Sequence, residues 1–319
     1  MTRLRPLTRV DLPALLDLIL TANRADGVDT PETLADLEHE YEDAWSDPAQ
    51  DAVVVDGPDG ALAGFARLFV NPRPNPDPES AAFLAMSVHP AARSAGLQDR
   101  LLDWLEARGR DRLHGNATRR LRIARPDHLQ SEIENLRVRG YRPIRFFFRM
   151  RRDLQSPPEP AEVSGITLRT FTPEWADRLW SAHAAAFADH WGYVIETRDE
   201  FKEYVLGSAS FRPDLTLLAC AGAEVVAYSI NRVPAENNAR SGVAEGVIGL
   251  LGTQRAWRGK GLATILIHES LRRFADAGLE RAALTVDAEN TTGALGLYER
   301  LRFVVVKRVQ ALDLVLPAA

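Results

Sequence analysis

The sequence predicts an α/β chain of the α+β kind, built as two tandem domains, each a mixed, mostly antiparallel sheet flanked by helices. Three observations predict it. The chain has 319 residues, more than one hydrophobic core usually holds. A proline-rich, weakly apolar stretch at 155–164 falls almost at the midpoint and reads as a semi-rigid linker. On either side of it one pattern starts afresh: Leu4-Arg5-Pro6-Leu7-Thr8 and then an amphipathic helix, Leu168-Arg169-Thr170-Phe171-Thr172 and then another. The expected units are a first domain at 1–154, the linker at 155–164 and a second domain at 165–319.

The elements follow in the same order in each half. In the first, 52–55 and 61–70 are apolar, strand-forming runs joined by the turn Asp56-Gly57-Pro58-Asp59-Gly60, a hairpin signal, and the proline-rich 71–78 is a loop. In the second, 215–221 and 225–233 are joined by a turn at Gly222-Ala223-Glu224. Each hairpin precedes an apolar strand, a glycine-bearing turn and a helix, at 97–110 and at 262–277. The order read for each half is β-α-α-β-β-β-α-β-α-β.

Bulk properties narrow the function. Apolar residues make up 45% and charged residues 26%, the balance of a globular protein rather than a disordered one. No apolar run is as long as a bilayer is thick, and Met1-Thr2-Arg3-Leu4-Arg5-Pro6 lacks a signal-peptide core, so the expectation is a cytoplasmic protein without a membrane partner. The net charge of −5 offers no global attraction for nucleic acid, and the arginine clusters at 119–122 and 149–152 read as solvated faces or strand ends. The single cysteine, Cys220, lies in an apolar strand and reads as a small buried hydrophobe without chemistry. His183 and His190 lack metal-ligand spacing, so no metal site is expected.

The chemistry concentrates at Arg258-Gly259-Lys260-Gly261-Leu262-Ala263, between the apolar strand 247–251 and a helix. Glycines let the backbone turn tightly, and the first N–H groups of a helix, lacking internal partners, point at an anion in the turn. Arg258 and Lys260 add positive charge, so the loop suits a diphosphate. A triphosphatase phosphate loop would need Ser or Thr after its lysine, but Gly261 follows Lys260. A dinucleotide fingerprint would need a third glycine where Thr264 stands. Upstream, Gly249 and Gly252 weaken the strand and suggest a bulge or a close backbone approach.

The pattern R-x-x-G-x-A after an apolar strand resembles the acyl-CoA loop of the GNAT acetyltransferases. The later run 286–303, with Asn290, Tyr298 and Phe303, is similar to that family's second signature. The resemblance implies two tandem GNAT folds, with acetyl-CoA as co-substrate and direct attack by the primary amine of a small molecule. It implies that the pantetheine arm lies along the strand at Leu251 and Thr253, that Arg258, Gly259, Lys260, Gly261, Leu262 and Ala263 hold the diphosphate, and that Asn290 bonds to backbone or cofactor. Tyr298 is the implied general acid, since a phenol with a pKa of about 10 suits protonation of a leaving thiolate. For the general base the candidate is Glu245, at the entry to the strand, with a water chain as the other route. The acceptor would enter near His190-Trp191-Gly192-Tyr193, where Glu196, Asp199 and Glu200 form an acidic patch.

Two departures stand out: the spacing from Asn290 to Tyr298 is one residue longer than the common form, and Arg302 replaces a usual glycine. The first half departs further. Its loop reads Arg93-Ser94-Ala95-Gly96-Leu97-Gln98, with Gln98 crowding the phosphate position, and Leu136 stands where the second half has Tyr298. The first domain is therefore read as a degenerate copy. A non-catalytic acyl-CoA sensor and a protein or peptide acetyltransferase remain alternatives. A monomer acting as an intramolecular pseudo-dimer is the expected state, with a homodimer as the other.

Overall fold

A computed structural model describes residues 3–317 except 29–31, 43–45, 71–78, 115–117, 157–162, 189, 192–195 and 290–292. The expected linker therefore lies largely outside the described residues. The chain forms two compact units, one of residues 1–147 and 308–319, the other of 148–307.

The first unit runs β1 (Leu4–Pro6), α1 (Leu12–Ala25), α2 (Leu34–Glu42), α3 (Pro48–Asp51), β2 (Ala52–Asp56), β3 (Leu62–Val70), β4 (Glu79–Val88), α4 (Leu97–Arg112), β5 (Thr118–Pro126) and α5 (Gln130–Val138). Its sheet has the order β1-β2-β3-β4-β5, and β4 and β5 are its parallel pair. Strand alternation decides which side each residue serves. Val54 packs with Leu12, Leu15 and Leu18 of α1, whereas Val53 and Val55 pack with Leu97, Leu101 and Leu105 of α4. Helices thus cover both faces.

The second unit starts within β6 (Arg142–Asp153). It continues through β7 (Thr167–Thr170), α6 (Ala176–Phe187), α7 (Arg198–Glu200), a π-helical turn Phe201–Leu206, β8 (Leu217–Ala221), β9 (Glu224–Arg232), α8 (Ala235–Ser241), β10 (Glu245–Thr253), α9 (Leu262–Asp276), β11 (Arg281–Asp287) and α10 (Ala294–Arg300). Its sheet order is β6-β11-β10-β9-β8-β7, with β10 and β11 parallel. Leu218 and Cys220 of β8 face α6, while Leu217 and Ala219 face α9. Burial pushes the Cys220 thiol pKa up, consistent with an inert core residue. Beneath α9 a polar network is enclosed: Asn231 Nδ2 donates to Ser270 Oγ (2.9 Å) and to the Leu215 carbonyl (2.8 Å), and Ser270 Oγ donates to Ser229 Oγ (3.1 Å). Buried donors satisfied in this way fix the register of α9 on the sheet.

Each unit takes its last strand from the far half of the sequence. Residues 148–153 belong to the second unit, and the final strand, β12 (Val304–Val315), delivers residues 309–315 antiparallel to β5 in the first. The compact units consequently differ from the halves 1–154 and 165–319 read from the sequence. The arginine clusters lie in the first half of β5 and at the end of β6, as the strand-end reading has it, and their side chains are engaged rather than solvated, which explains part of the exchange. Arg122 forks onto Asp313 with two bonds of 2.8 Å, and Asp313 is 3% exposed. Arg149 and Arg151 pair with Glu245, and Arg152 donates to the Leu301 carbonyl at 2.7 Å.

Candidate active site

The site is built around β10. Residues 245–248 pair in parallel with 281–284 of β11, but beyond Ile248 the pairing to β11 stops. On its other side β10 stays paired with β9 as far as Thr253 and Ala227, with a register shift between Ile248 and Leu250. The two parallel strands therefore share a beginning and diverge at Gly249, leaving the β11-facing backbone of 249–253 without a strand partner among the described residues. This is the slot expected along Leu251 and Thr253. An extended ligand can add to such an edge by main-chain hydrogen bonds. Gly249 is the bulge residue. Gly252 has another reason to be glycine: a Cβ there would stand 2.5 Å from the Tyr228 ring, so this glycine serves packing.

After β10, a 3₁₀ turn at Arg255–Trp257 leads into the expected loop. Gly259 (φ +76°) and Gly261 (φ +83°) both take the left-handed conformation, so each must be glycine for its backbone rather than for space. A Cβ on Gly259 would meet nothing within 4 Å. Gly261 is the N-cap of α9 and has no side chain to cap it, and the first helical bond runs from Ile265 N–H to the Gly261 carbonyl at 3.1 Å. The helix itself thus leaves the N–H groups of Leu262, Ala263 and Thr264 unclaimed, at the positive end of its dipole. Lys260 is exposed beside them, with Nζ 4.4 Å from the Trp257 ring centroid.

Arg258 behaves differently from the expected phosphate ligand. Its guanidinium donates to the Thr253 carbonyl (3.2 Å) and to the Ala186 carbonyl (2.9 Å), an orphan acceptor in the last turn of α6. It staples the strand end to the first helix of the unit. The first unit repeats the device: Arg93 donates to the Val88 carbonyl (3.4 Å) and forks onto Asp26, the C-cap residue of α1, at 2.6 and 2.8 Å. The common place of these two arginines in the repeat was the signal for this role.

Tyr298 lies on α10, whose N-cap Gly293 is left-handed (φ +74°). The ring is 7% exposed, edge-on to Phe303, in one apolar cluster with Ile248, Leu284 and Leu251. Since Ile248 and Leu284 are the last paired residues before the strands part, the structure brings Tyr298 to the fork. Burial pushes its pKa up to about 12, which keeps the phenol protonated. Asn290, the other motif residue, lies outside the described residues.

Glu245 is 4% exposed, and both of its carboxylate oxygens are taken: Arg149 donates to one at 2.7 Å, Arg151 to the other at 2.6 Å. Its lone pairs face guanidinium groups and not the slot. The acidic patch is also engaged. Glu200 closes a capping box with Thr197, and Glu196 lies 3.6 Å from His183, which is bonded to Tyr228. Among the described residues, no group of three or more His, Cys, Asp or Glu side chains is arranged to hold a metal.

The first unit keeps the outline of a slot. Residues 79–84 of β4 pair with 118–123 of β5, β4 runs on with β3 to Val88, and Gly96 (φ +67°) is the left-handed N-cap of α4. The resulting cleft, about 90 Å³, is lined by Met86, Val88, Gln98, Arg93, Arg125 and Glu132. Arg125 pairs with Glu132 at 3.0 Å, and burial pulls its pKa down. Leu136 is buried where the second unit has Tyr298.

This pairing of a forked parallel strand with a glycine-turned helix start is what the sequence signatures anticipate, and residues 13–132 and 165–303 both match the Acetyltransferase (GNAT) family. The chain belongs to that family, with two copies of its fold, and is an acetyl-CoA-dependent N-acetyltransferase. It is 31% identical over 310 residues to a protein named mycothiol acetyltransferase from Salinispora arenicola, covering 92% of this chain and 91% of that one. It also resembles the crystal structure of a GCN5-related N-acetyltransferase from Sphaerobacter thermophilus (27% identity, TM-score 0.75, 99% of this chain and 96% of that one). A tandem GNAT protein from the clavulanic acid biosynthesis pathway shares the fold at 18% identity, with a TM-score of 0.71 and complete coverage of both chains.

Proposed function

We propose that the second unit transfers an acetyl group from acetyl-CoA to the primary amine of a small molecule by direct attack, and that the first unit is a degenerate copy. The observation that carries the reading is the divergence of β10 from β11 at Gly249, directly before a helix start with unclaimed N–H groups. Backbone around Leu251 binds the extended arm of the co-substrate, the N–H groups of 262–264 bind its diphosphate, and exposed Lys260 adds charge. The amine nitrogen forms a bond to the thioester carbon, and the carbon–sulfur bond breaks. Tyr298 supplies a proton to the departing thiolate. With Glu245 locked between two arginines, the proton of the acceptor ammonium leaves through water. The name carried by the Salinispora arenicola relative supports a small-molecule acceptor, and the reaction is assigned to the cytoplasm, where acetyl-CoA is available.

Release of free thiol from acetyl-CoA in the presence of an amine panel tests this reading, alongside calorimetry of acetyl-CoA binding. Gly261→Val must strain a left-handed residue and puts bulk at the helix start. Loss of binding by roughly tenfold or more is expected, since left-handed backbone costs an ordinary residue about 1–2 kcal/mol. Unaltered binding by Gly261→Val would remove the loop from the site.

A further inference from the structure

We infer that acetyl-CoA binds once per chain, and that Asp99, Arg125 and Glu132 are the residues that bar it from the first unit. The inference rests on the co-substrate reading of the second unit above and adds to it the stoichiometry and its cause. The first unit keeps the backbone of the site: β4 runs on beyond its pairing with β5, and Gly96 turns the chain into α4. Its side chains differ at both ends of that site, where a diphosphate and where a pantetheine arm would lie.

At the helix start the attraction for an anion is cancelled. The first helical bond of α4 runs from Arg100 N–H to the Gly96 carbonyl at 3.3 Å, the same arrangement as at the start of α9. The first turn of α4, however, carries Asp99, whereas the first turn of α9 carries no acid. Asn135 Nδ2 donates to Asp99 Oδ1 at 2.8 Å and holds the carboxylate in place. An acid there already answers the helix dipole and repels a diphosphate. The loop offers no surplus charge against it. Arg93 is neutralised by Asp26, onto which it forks at 2.6 and 2.8 Å, and the sequence has Ala95 where the second loop has Lys260.

The slot is narrowed by an ion pair. Two residues past the last residue paired in parallel, the first unit has Arg125 and the second has Val286. Four residues before Leu136 stands Glu132, and four before Tyr298 stands Ala294. In the second unit Val286 and Ala294 belong to the apolar cluster around Tyr298. In the first, Arg125 and Glu132 form their 3.0 Å pair at the wall of the cleft, with 11% of the Arg125 side chain exposed. Gln98, in the place of Ala263, lines the same cleft. The space left, about 90 Å³, holds a few waters and not an acyl-pantetheine arm. Seating that arm requires the pair to part, and the neutral amides of the arm replace neither charge, so a buried ion is left uncompensated.

Calorimetry of acetyl-CoA binding to the full chain counts the sites. One site is expected, with no second up to about a hundredfold above its Kd, the scale on which breaking a buried pair weakens binding. Gly261→Val should weaken that site, while Gly96→Val, the same change in the first unit, should leave binding as it was. Asp99→Thr combined with Arg125→Val and Glu132→Ala should add a second, weaker site; both members of the buried pair leave together, so neither charge is stranded. Two sites in the unaltered chain, one of them lost in Gly96→Val, would overturn the inference and leave the transfer reading intact. A folded triple variant that still binds once would overturn the assignment to these three residues. A single site untouched by Gly261→Val and lost in Gly96→Val, or no binding at all, would overturn the transfer reading itself. Should the triple variant not fold, the count for the unaltered chain and its two glycine variants decides.

Discussion

Tyr298 shows how burial prepares a side chain for one protonation state. Desolvation raises its pKa to about 12, so at neutral pH it is an acid and never a phenolate base. Tyr298→Phe, which removes the proposed general acid, is expected to lower kcat by roughly ten- to a thousandfold, toward the lower end of what positioned proton transfer contributes, with acetyl-CoA affinity retained. Thiol-release kinetics and calorimetry separate the two effects. The sign of the shift makes a second demand. In the unfolded chain the phenol titrates near its ordinary value of about 10, so stability is unaffected by this group below that pH and falls as pH rises toward 12. No alkaline fall in kcat/KM below about pH 10 should belong to Tyr298, and a fall present in the wild type but missing from the variant would contradict its burial. The motif around Tyr298 marks it in the sequence. The arginines that hold Glu245 were hidden, because an ion pair spanning nearly a hundred residues leaves no local trace.

Among the elements, the loop before α9 is legible in the sequence because glycine spacing reports backbone sign directly: both Gly259 and Gly261 are left-handed. The helix after β11 carries the opposite lesson. Arg302 stands where the family resemblance asks for glycine, and it adopts φ +63°, the single positive value of an ordinary residue among those described. Its N–H donates to the Glu299 carbonyl at 2.9 Å and that of Phe303 to Tyr298 at 3.0 Å, closing α10 with a left-handed turn. An arginine there is strained, so Arg302→Gly should stabilise the protein by about 0.5–1 kcal/mol after the greater freedom of glycine in the unfolded chain is counted. Urea titration would read it, and an unchanged or lower midpoint would show that the turn carries no strain. The same turn fixes the end of the helix that holds Tyr298, which is how Arg302 bears on the proposed general acid.

For the whole molecule, the repeat is legible and the exchange of strands is not. Periodicity reports that an edge strand exists but not which sheet receives it, since pairing is settled by side chains distant in sequence. Here Arg122 and Asp313, 191 positions apart, identify the recipient. Removing one member of a buried pair leaves the other uncompensated, so Asp313→Asn should cost about 3 kcal/mol or more. Thermal melting followed by circular dichroism would detect it, and a loss under about 1 kcal/mol would show that the strand is held by its backbone alone. The exchange also sets a timetable during synthesis. Domains are ordinarily finished in the order in which they leave the ribosome. In this chain the second unit has its residues once 307 has emerged, while the first must wait for 308–319 before β5 gains its antiparallel partner. The half made first is finished last, and a stalled or prematurely ended message would leave the amino-terminal unit without the strand that pairs with β5, although the second unit would have all of its strands.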